Sequence, residues 1–99
     1  MLWRTNASSR EKIHKTNIIY SKTKNKLYVG YSDDLKRRIQ EHKRGEVKTT
    51  SKARDWRLVY FEACLSQKDA LDRERQLKTG FGRAYLKRRL KNYFISLGQ

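Results

Sequence analysis

The sequence predicts a small α+β domain with the element order β-β-α-β-α-α. Three observations predict it. Two short β-branched and aromatic runs flank a stretch of turn residues, a nearly continuous apolar run occupies 56–63, and elsewhere apolar residues recur at helical spacing. With 99 residues the chain has room for one domain. A single domain is expected over 16–97, preceded by a loose extension at 1–15 that is polar, mixed in charge and without sustained periodicity.

Ile18-Ile19-Tyr20 is the first strand signal and Leu27-Tyr28-Val29-Gly30-Tyr31 the second. Between them, Ser21-Lys22-Thr23-Lys24-Asn25-Lys26 is turn material, so the pair predicts a hairpin. Ser32 or Asp33 suits a helix N-cap, and Leu35, Arg38, Ile39 and His42 follow at helical spacing up to Gly45, a C-cap candidate. The first helix is therefore expected over about 33–44, followed by a basic polar loop. The run from Trp56 to Ala63 predicts a strand whose unbroken apolarity suits a central place in the sheet. Ser66 with Asp69 three residues on opens a second helix, with Ala70, Leu71, Glu74 and Leu77 on or beside its inner stripe and Gly80 as its end. A third helix is expected from Gly82 to Leu97, with Leu86, Leu90, Tyr93, Phe94 and Leu97 inward.

Composition narrows the function. Lys and Arg number 25 against 10 Asp and Glu, a formal net charge of +15. Hydrophobic residues make up only 36% of the chain, so the core is thin and the coat strongly positive. Such a charge selects partners rather than a fold, and nucleic acid is the expected one. Apolar runs stay well short of the ~20 residues of a membrane span, and Met1 to Asn6 has no apolar signal core. A cytoplasmic, membrane-free protein is expected, with a monomer as the default state. One cysteine, Cys64, excludes an internal disulfide framework and a multi-thiolate zinc site; its apolar surroundings predict a buried structural thiol.

Three ionisable residues stand where the periodicity calls for apolar ones: Arg38, His42 and Glu74. Each alone has an ordinary explanation, as a snorkelling or paired side chain. Together with an exposed tyrosine after a strand they contain the parts of a phosphodiester-cleaving site: a metal-binding carboxylate, a cation for the phosphate, and a group to deprotonate water.

Tyr28-Val29-Gly30 followed by Asp34 to His42, then Trp56 to Glu62 and Ala70 to Lys78, resembles the GIY-YIG nucleases. Lys78-Thr79-Gly80-Phe81-Gly82-Arg83-Ala84-Tyr85-Leu86 is similar to the small stand-alone bacterial branch of that superfamily. The resemblance spans about residues 17–91. It implies three antiparallel strands flanked by helices and metal-dependent hydrolysis of one nucleic-acid strand, DNA being the expected substrate. It implies that Tyr28 acts on the attacking water and that Gly30 allows close backbone packing beside it. By the same resemblance Arg38 holds the scissile phosphate, His42 assists proton transfer, and Glu74 binds one Mg²⁺ or Mn²⁺.

The chain departs from this pattern at one position. In the family a first signature tyrosine precedes the second by about eleven residues, and that step leads from Tyr28 back to Asn17. Tyr20 is the nearest tyrosine, but its odd offset would reverse the strand face. Asn can hydrogen-bond yet has no phenol to titrate. Three readings follow: impaired turnover, another tyrosine such as Tyr31 in the role, or a displaced start within 1–17.

The remaining cations, Lys36, Arg37, Lys43 and Arg44 on the first helix, Lys48, Lys52 and Arg54 in the loop, and the stretch from Arg83 to Lys91, are expected to track a phosphate backbone. Sequence-specific base reading has no support, since no recognition helix or zinc finger is evident. Tyr31, Trp56 and Phe81 are either base-stacking groups or parts of the core and rim.

Overall fold

The hairpin forms where the turn chemistry places it. In the computed structural model, which describes residues 12–45 and 53–98, β1 (His14–Ser21) and β2 (Lys26–Ser32) run antiparallel with Ile19 opposite Tyr28 and Asn17 opposite Gly30. Asn25 closes the turn at φ 51° and accepts the Tyr20 hydroxyl at 2.9 Å. Strand β1 starts at His14, so the last two residues of the expected extension belong to the sheet; residues 1–11 lie outside the described residues.

The third strand, β3 (Arg57–Cys64), pairs with β1, giving the order β2-β1-β3. The expectation of a central third strand is thereby corrected. Strand β1 is central and buried from Thr16 to Ser21, whereas β3 is an edge whose residues are half-buried or exposed. Its apolar run covers one flank of the core instead of being enclosed on both sides. A register shift between Ile18 and Ile19 lets Val59 and Tyr60 pack with one cluster and Leu58 with the other. Cys64 is half-buried and free, less enclosed than predicted.

Pleat alternation divides the interior in two. Ile18 and Val29 pack with Leu77 and Leu86 from the later helices. Ile19, Trp56 and Ala53 form the second cluster, against which Tyr28, Ile39 and Leu58 lie. Helix α1 (Leu35–Lys43) covers that second face, and α2 (Gln67–Leu77) and α3 (Gly80–Arg89) cover the first. Thr16 anchors α2 by donating its hydroxyl to the Ala70 carbonyl at 2.8 Å.

Helix ends follow local chemistry with two departures. Asp34 caps α1, its carboxylate accepting the Arg37 N–H, so the cap lies one residue beyond the predicted Ser32 or Asp33. Gly45 ends this segment at φ +73°, a conformation glycine adopts without a Cβ penalty, and the Arg54 guanidinium packs against it. Ser66 caps α2 as predicted. Gly80, expected to end that helix, instead opens α3, because the Thr79 hydroxyl caps the Gly82 N–H at 3.1 Å. The expected third helix is two: α3 stops at Leu90, whose φ −104° and ψ 20° leave the helical region, and α4 (Lys91–Ser96) continues. Leu90 keeps its side chain buried while Phe94 packs edge-on against Tyr20, 5.2 Å between ring centroids. No described helix is long and apolar enough to cross a membrane.

Candidate active site

Helix α1 is laid across the Ile19 face by Ile39, and this brings His42 down onto the sheet. His42 is 1% exposed and meets the half-buried Tyr28 ring edge-on, 5.3 Å between centroids. Burial pushes the His42 imidazole below its ordinary pKa, and the Arg38 guanidinium pushes the same way against a smaller opposing pull from Glu41. The ring is therefore neutral at neutral pH.

Arg38 stands one helical turn before His42, half-exposed, with its guanidinium 3.2 Å from the Glu41 carboxylate. Arg37 reaches toward the same carboxylate and toward Asp34 at 3.9 and 3.7 Å. Such exposed pairs contribute roughly 0.2–1 kcal/mol, so a phosphate can replace Glu41 on Arg38 at little cost.

The Asn17–Gly30 pair completes this face. A Cβ on Gly30 would stand 3.0 Å from Asn17 Oδ1 and 3.5 Å from the Tyr28 ring, so the absence of one lets the Asn17 side chain lie over the strand beside Tyr28. Asn17 is 1% exposed and its Nδ2 is buried without a hydrogen-bond partner among the described residues. An orphaned buried donor is costly and marks strain or function. Tyr20 has the opposite orientation: it packs with Phe94 and Tyr93. Tyr31 also faces away, accepting from Gln67 of α2 at 3.3 Å and pairing with His14 Nδ1 at 2.6 Å. Of the tyrosine alternatives, neither shares a face with Tyr28; position 17 does.

Glu74 stands on α2, the helix whose Leu77 packs on the Ile18 face. Glu74 is half-buried, 3.4 Å from the Lys78 ammonium. The link between the two sides is the edge strand β2. Tyr28 packs against the α1 cluster yet also borders a cavity on the α2–α3 side, and Lys78 lines that cavity too. Among the described residues no group of three or more His, Cys, Asp or Glu is placed to hold a metal. A single carboxylate fits Mg²⁺ or Mn²⁺, which retain waters and take one or two carboxylates plus phosphate; it does not fit a closed zinc site.

The predicted cations divide between the two sides. Lys36, Arg37, Lys43 and Arg44 are exposed on α1, and Arg54 is exposed beside its C-terminus. Arg83 lines the cavity; Lys48 and Lys52 lie outside the described residues. Lys87 and Lys91, in the basic stretch that begins at Arg83, line it too, as do Lys26 and Lys78, which were not singled out from the sequence. The signal for Arg83, Lys87 and Lys91 is their four-residue spacing, which follows one helical face across the break at Leu90. Phe61, exposed on the α1 side with Lys15 5.7 Å over its ring, was also missed. Of the proposed stackers, Trp56 is core, and Phe81 is 90% exposed.

A family profile described as the GIY-YIG catalytic domain matches residues 13–89. UPF0213 proteins of Staphylococcus aureus strains Mu3 and Mu50 are each 41% identical over 54 residues, covering 54% of this chain and 66% of theirs. The match thus spans slightly less than two thirds of those relatives. A UPF0213 protein from Bacillus halodurans, solved by solution NMR, is 32% identical and covers 86% of this chain and 84% of that one, with a TM-score of 0.43.

Proposed function

The chain belongs to the GIY-YIG family, and from that premise we propose that it is a divalent-metal-dependent endonuclease that hydrolyses one strand of DNA with little sequence preference. The observation that carries the reading is the Tyr28–His42 pair with Arg38 one turn away, on the face that also holds Asn17. Arg38 exchanges Glu41 for the scissile phosphate and holds the charge that develops on it. The Tyr28 hydroxyl orients the attacking water. The His42 ring, kept neutral by burial, is in the form that accepts a proton at its unprotonated nitrogen. Asn17 offers an uncommitted Nδ2 donor beside Tyr28 in place of a phenol. Glu74 is the residue to hold Mg²⁺ or Mn²⁺, which when bound supplies Lewis-acid stabilisation of phosphoryl charge. The +15 charge steers and retains the phosphate backbone. We place this activity in a bacterial cytoplasm.

Asn17 favours a second reading, a DNA-binding module of the same fold with impaired turnover. Plasmid nicking with Mg²⁺ or Mn²⁺ separates the two, using wild type, Glu74→Ala and Asn17→Tyr. Nicking by wild type that is lost in Glu74→Ala supports the enzyme. Binding without nicking, with cleavage appearing in Asn17→Tyr, supports the module. Nicking by Glu74→Ala at the wild-type rate removes Glu74 from the metal role.

A further inference from the structure

The carboxylate assigned above to the metal already has a cation beside it. Glu74 keeps only 20% of its side chain exposed, and the Lys78 ammonium, one turn on at the end of α2, stands 3.4 Å from its Oε2. Lys78 also lines the cavity between the hairpin and the later helices. That lining carries Lys26, Arg83, Lys87 and Lys91 as well and, among the described residues, no carboxylate. A lone carboxylate in such company is a poor seat for a further positive ion. A dication a few ångströms from an ammonium loses roughly tenfold in affinity even at the dielectric of water. No cluster of three or more His, Cys, Asp or Glu stands among the described residues to offset that repulsion.

Lys78 is nevertheless free to swing. Its side chain is 52% exposed, its charge rides on a flexible four-carbon stem, and an exposed i,i+4 pair holds it only weakly. A backbone phosphate drawn to Arg83 and Lys87 would offer the ammonium another acceptor. We propose that Lys78 is a removable counter-ion of Glu74. It neutralises the carboxylate in the free protein and passes to a phosphate when nucleic acid binds, which leaves Glu74 open to Mg²⁺ or Mn²⁺. Nucleic acid and metal then bind with positive coupling, each raising the affinity of the other by the same factor. Lys78 is thus a positioning residue that acts through Glu74, and the inference rests on the metal role given to Glu74 above.

Two measurements test it, and neither is cleavage. In the first, Mn²⁺ is titrated into the DNA-free protein and the free ion is followed by electron paramagnetic resonance. Lys78→Met should bind Mn²⁺ about tenfold more tightly than wild type, and adding Glu74→Ala should remove the gain. Lys78→Arg, which keeps the charge, should stay near wild type. Lys87→Met, which removes a cation of the same cavity on α3, should change the affinity by less than about threefold. In the second, DNA binding is titrated with salt in EDTA. A lysine that moves onto phosphate contributes about one unit to the slope of log affinity against log salt, so Lys78→Met should be shallower by about one. Lys78→Gln serves in both if circular dichroism shows the methionine variant misfolded. Wild-type Mn²⁺ affinity in Lys78→Met, an equal gain in Lys87→Met, or an unchanged salt slope overturns the proposal. A gain that survives Glu74→Ala overturns it too, and takes Glu74 out of the metal role. Both expected results in a protein that never nicks DNA would count against the nuclease reading alone.

Discussion

Replacing Gly82 by alanine should destabilise the protein by about 2 kcal/mol, because the added methyl has nowhere to go. A Cβ at 82 would stand 2.5 Å from the Leu77 carbonyl oxygen and closer still to Gln76 O and Leu77 Cα. All three are backbone atoms. Ordinary contact needs about 1 Å more, so α3 must lift away from the end of α2. The α2 end cannot give way, since Leu77 is 1% exposed and wedged against Ile18 and Val29. Overpacking of this kind costs about 1–3 kcal/mol, and a clash with backbone belongs at the top of that range. Removing a glycine from the unfolded chain returns about 0.5–1 kcal/mol. The balance is near 2 kcal/mol, or roughly 8–16 °C in Tm for a domain of this size. Gly80→Ala is the matched control. It lies two residues away in the same helix, and a Cβ there meets nothing within 4 Å, so it should stabilise by about 0.5 kcal/mol. Urea unfolding followed by Trp56 fluorescence reads both. Wild-type stability in Gly82→Ala, or a larger loss in Gly80→Ala, would refute the reasoning.

Three further outcomes are expected. The lowered pKa of His42 means that below its ordinary 6.5 the unfolded chain binds the proton more readily; stability is full above 6.5 and falls as pH drops toward the folded value. Urea midpoints that do not decline between pH 7.5 and 5.5 would contradict its buried, neutral state. Asp55, drawn down to about 2 by the Ser21 hydroxyl and then the Thr23 N–H, holds the hairpin turn; its contribution is present above 3.8, is lost as pH falls to about 2, and should vanish in Asp55→Asn. For DNA, a footprint of six phosphates predicts about a thousandfold loss of affinity between 50 and 200 mM salt, so a flat salt titration would exclude the phosphate-tracking surface.

Much of this molecule was legible in local sequence. Turn residues at 21–26 marked the hairpin, Ser66 the start of α2, Gly45 the end of α1, and the periodicity placed Leu77, Leu86 and Leu90 inside. Arg38 and His42, out of place on an apolar stripe, stand one turn apart on α1, where the His42 ring meets Tyr28. What was misjudged depended on distant partners. Gly80 looked like a helix end because its neighbour Thr79 acts as a cap only once α3 is turned back over α2. The break at Leu90 has no glycine or proline to announce it, and the unbroken apolar run of β3 concealed an edge strand.

The order of elements, the surplus of positive charge and the identity of the chemical groups were determined by the sequence itself, since propensity, capping and charge act within a few residues. Tertiary structure decided which face each group occupies. Pleat alternation sent Tyr20 and Tyr31 to one side and Asn17 and Tyr28 to the other. Helix packing put α2, with Glu74, on the Ile18 face, and it gathered five cations from β2, the end of α2, α3 and α4 around one cavity. A side chain's neighbours across a sheet are fixed by the register and packing of residues far along the chain, and short-range pattern carries no record of them.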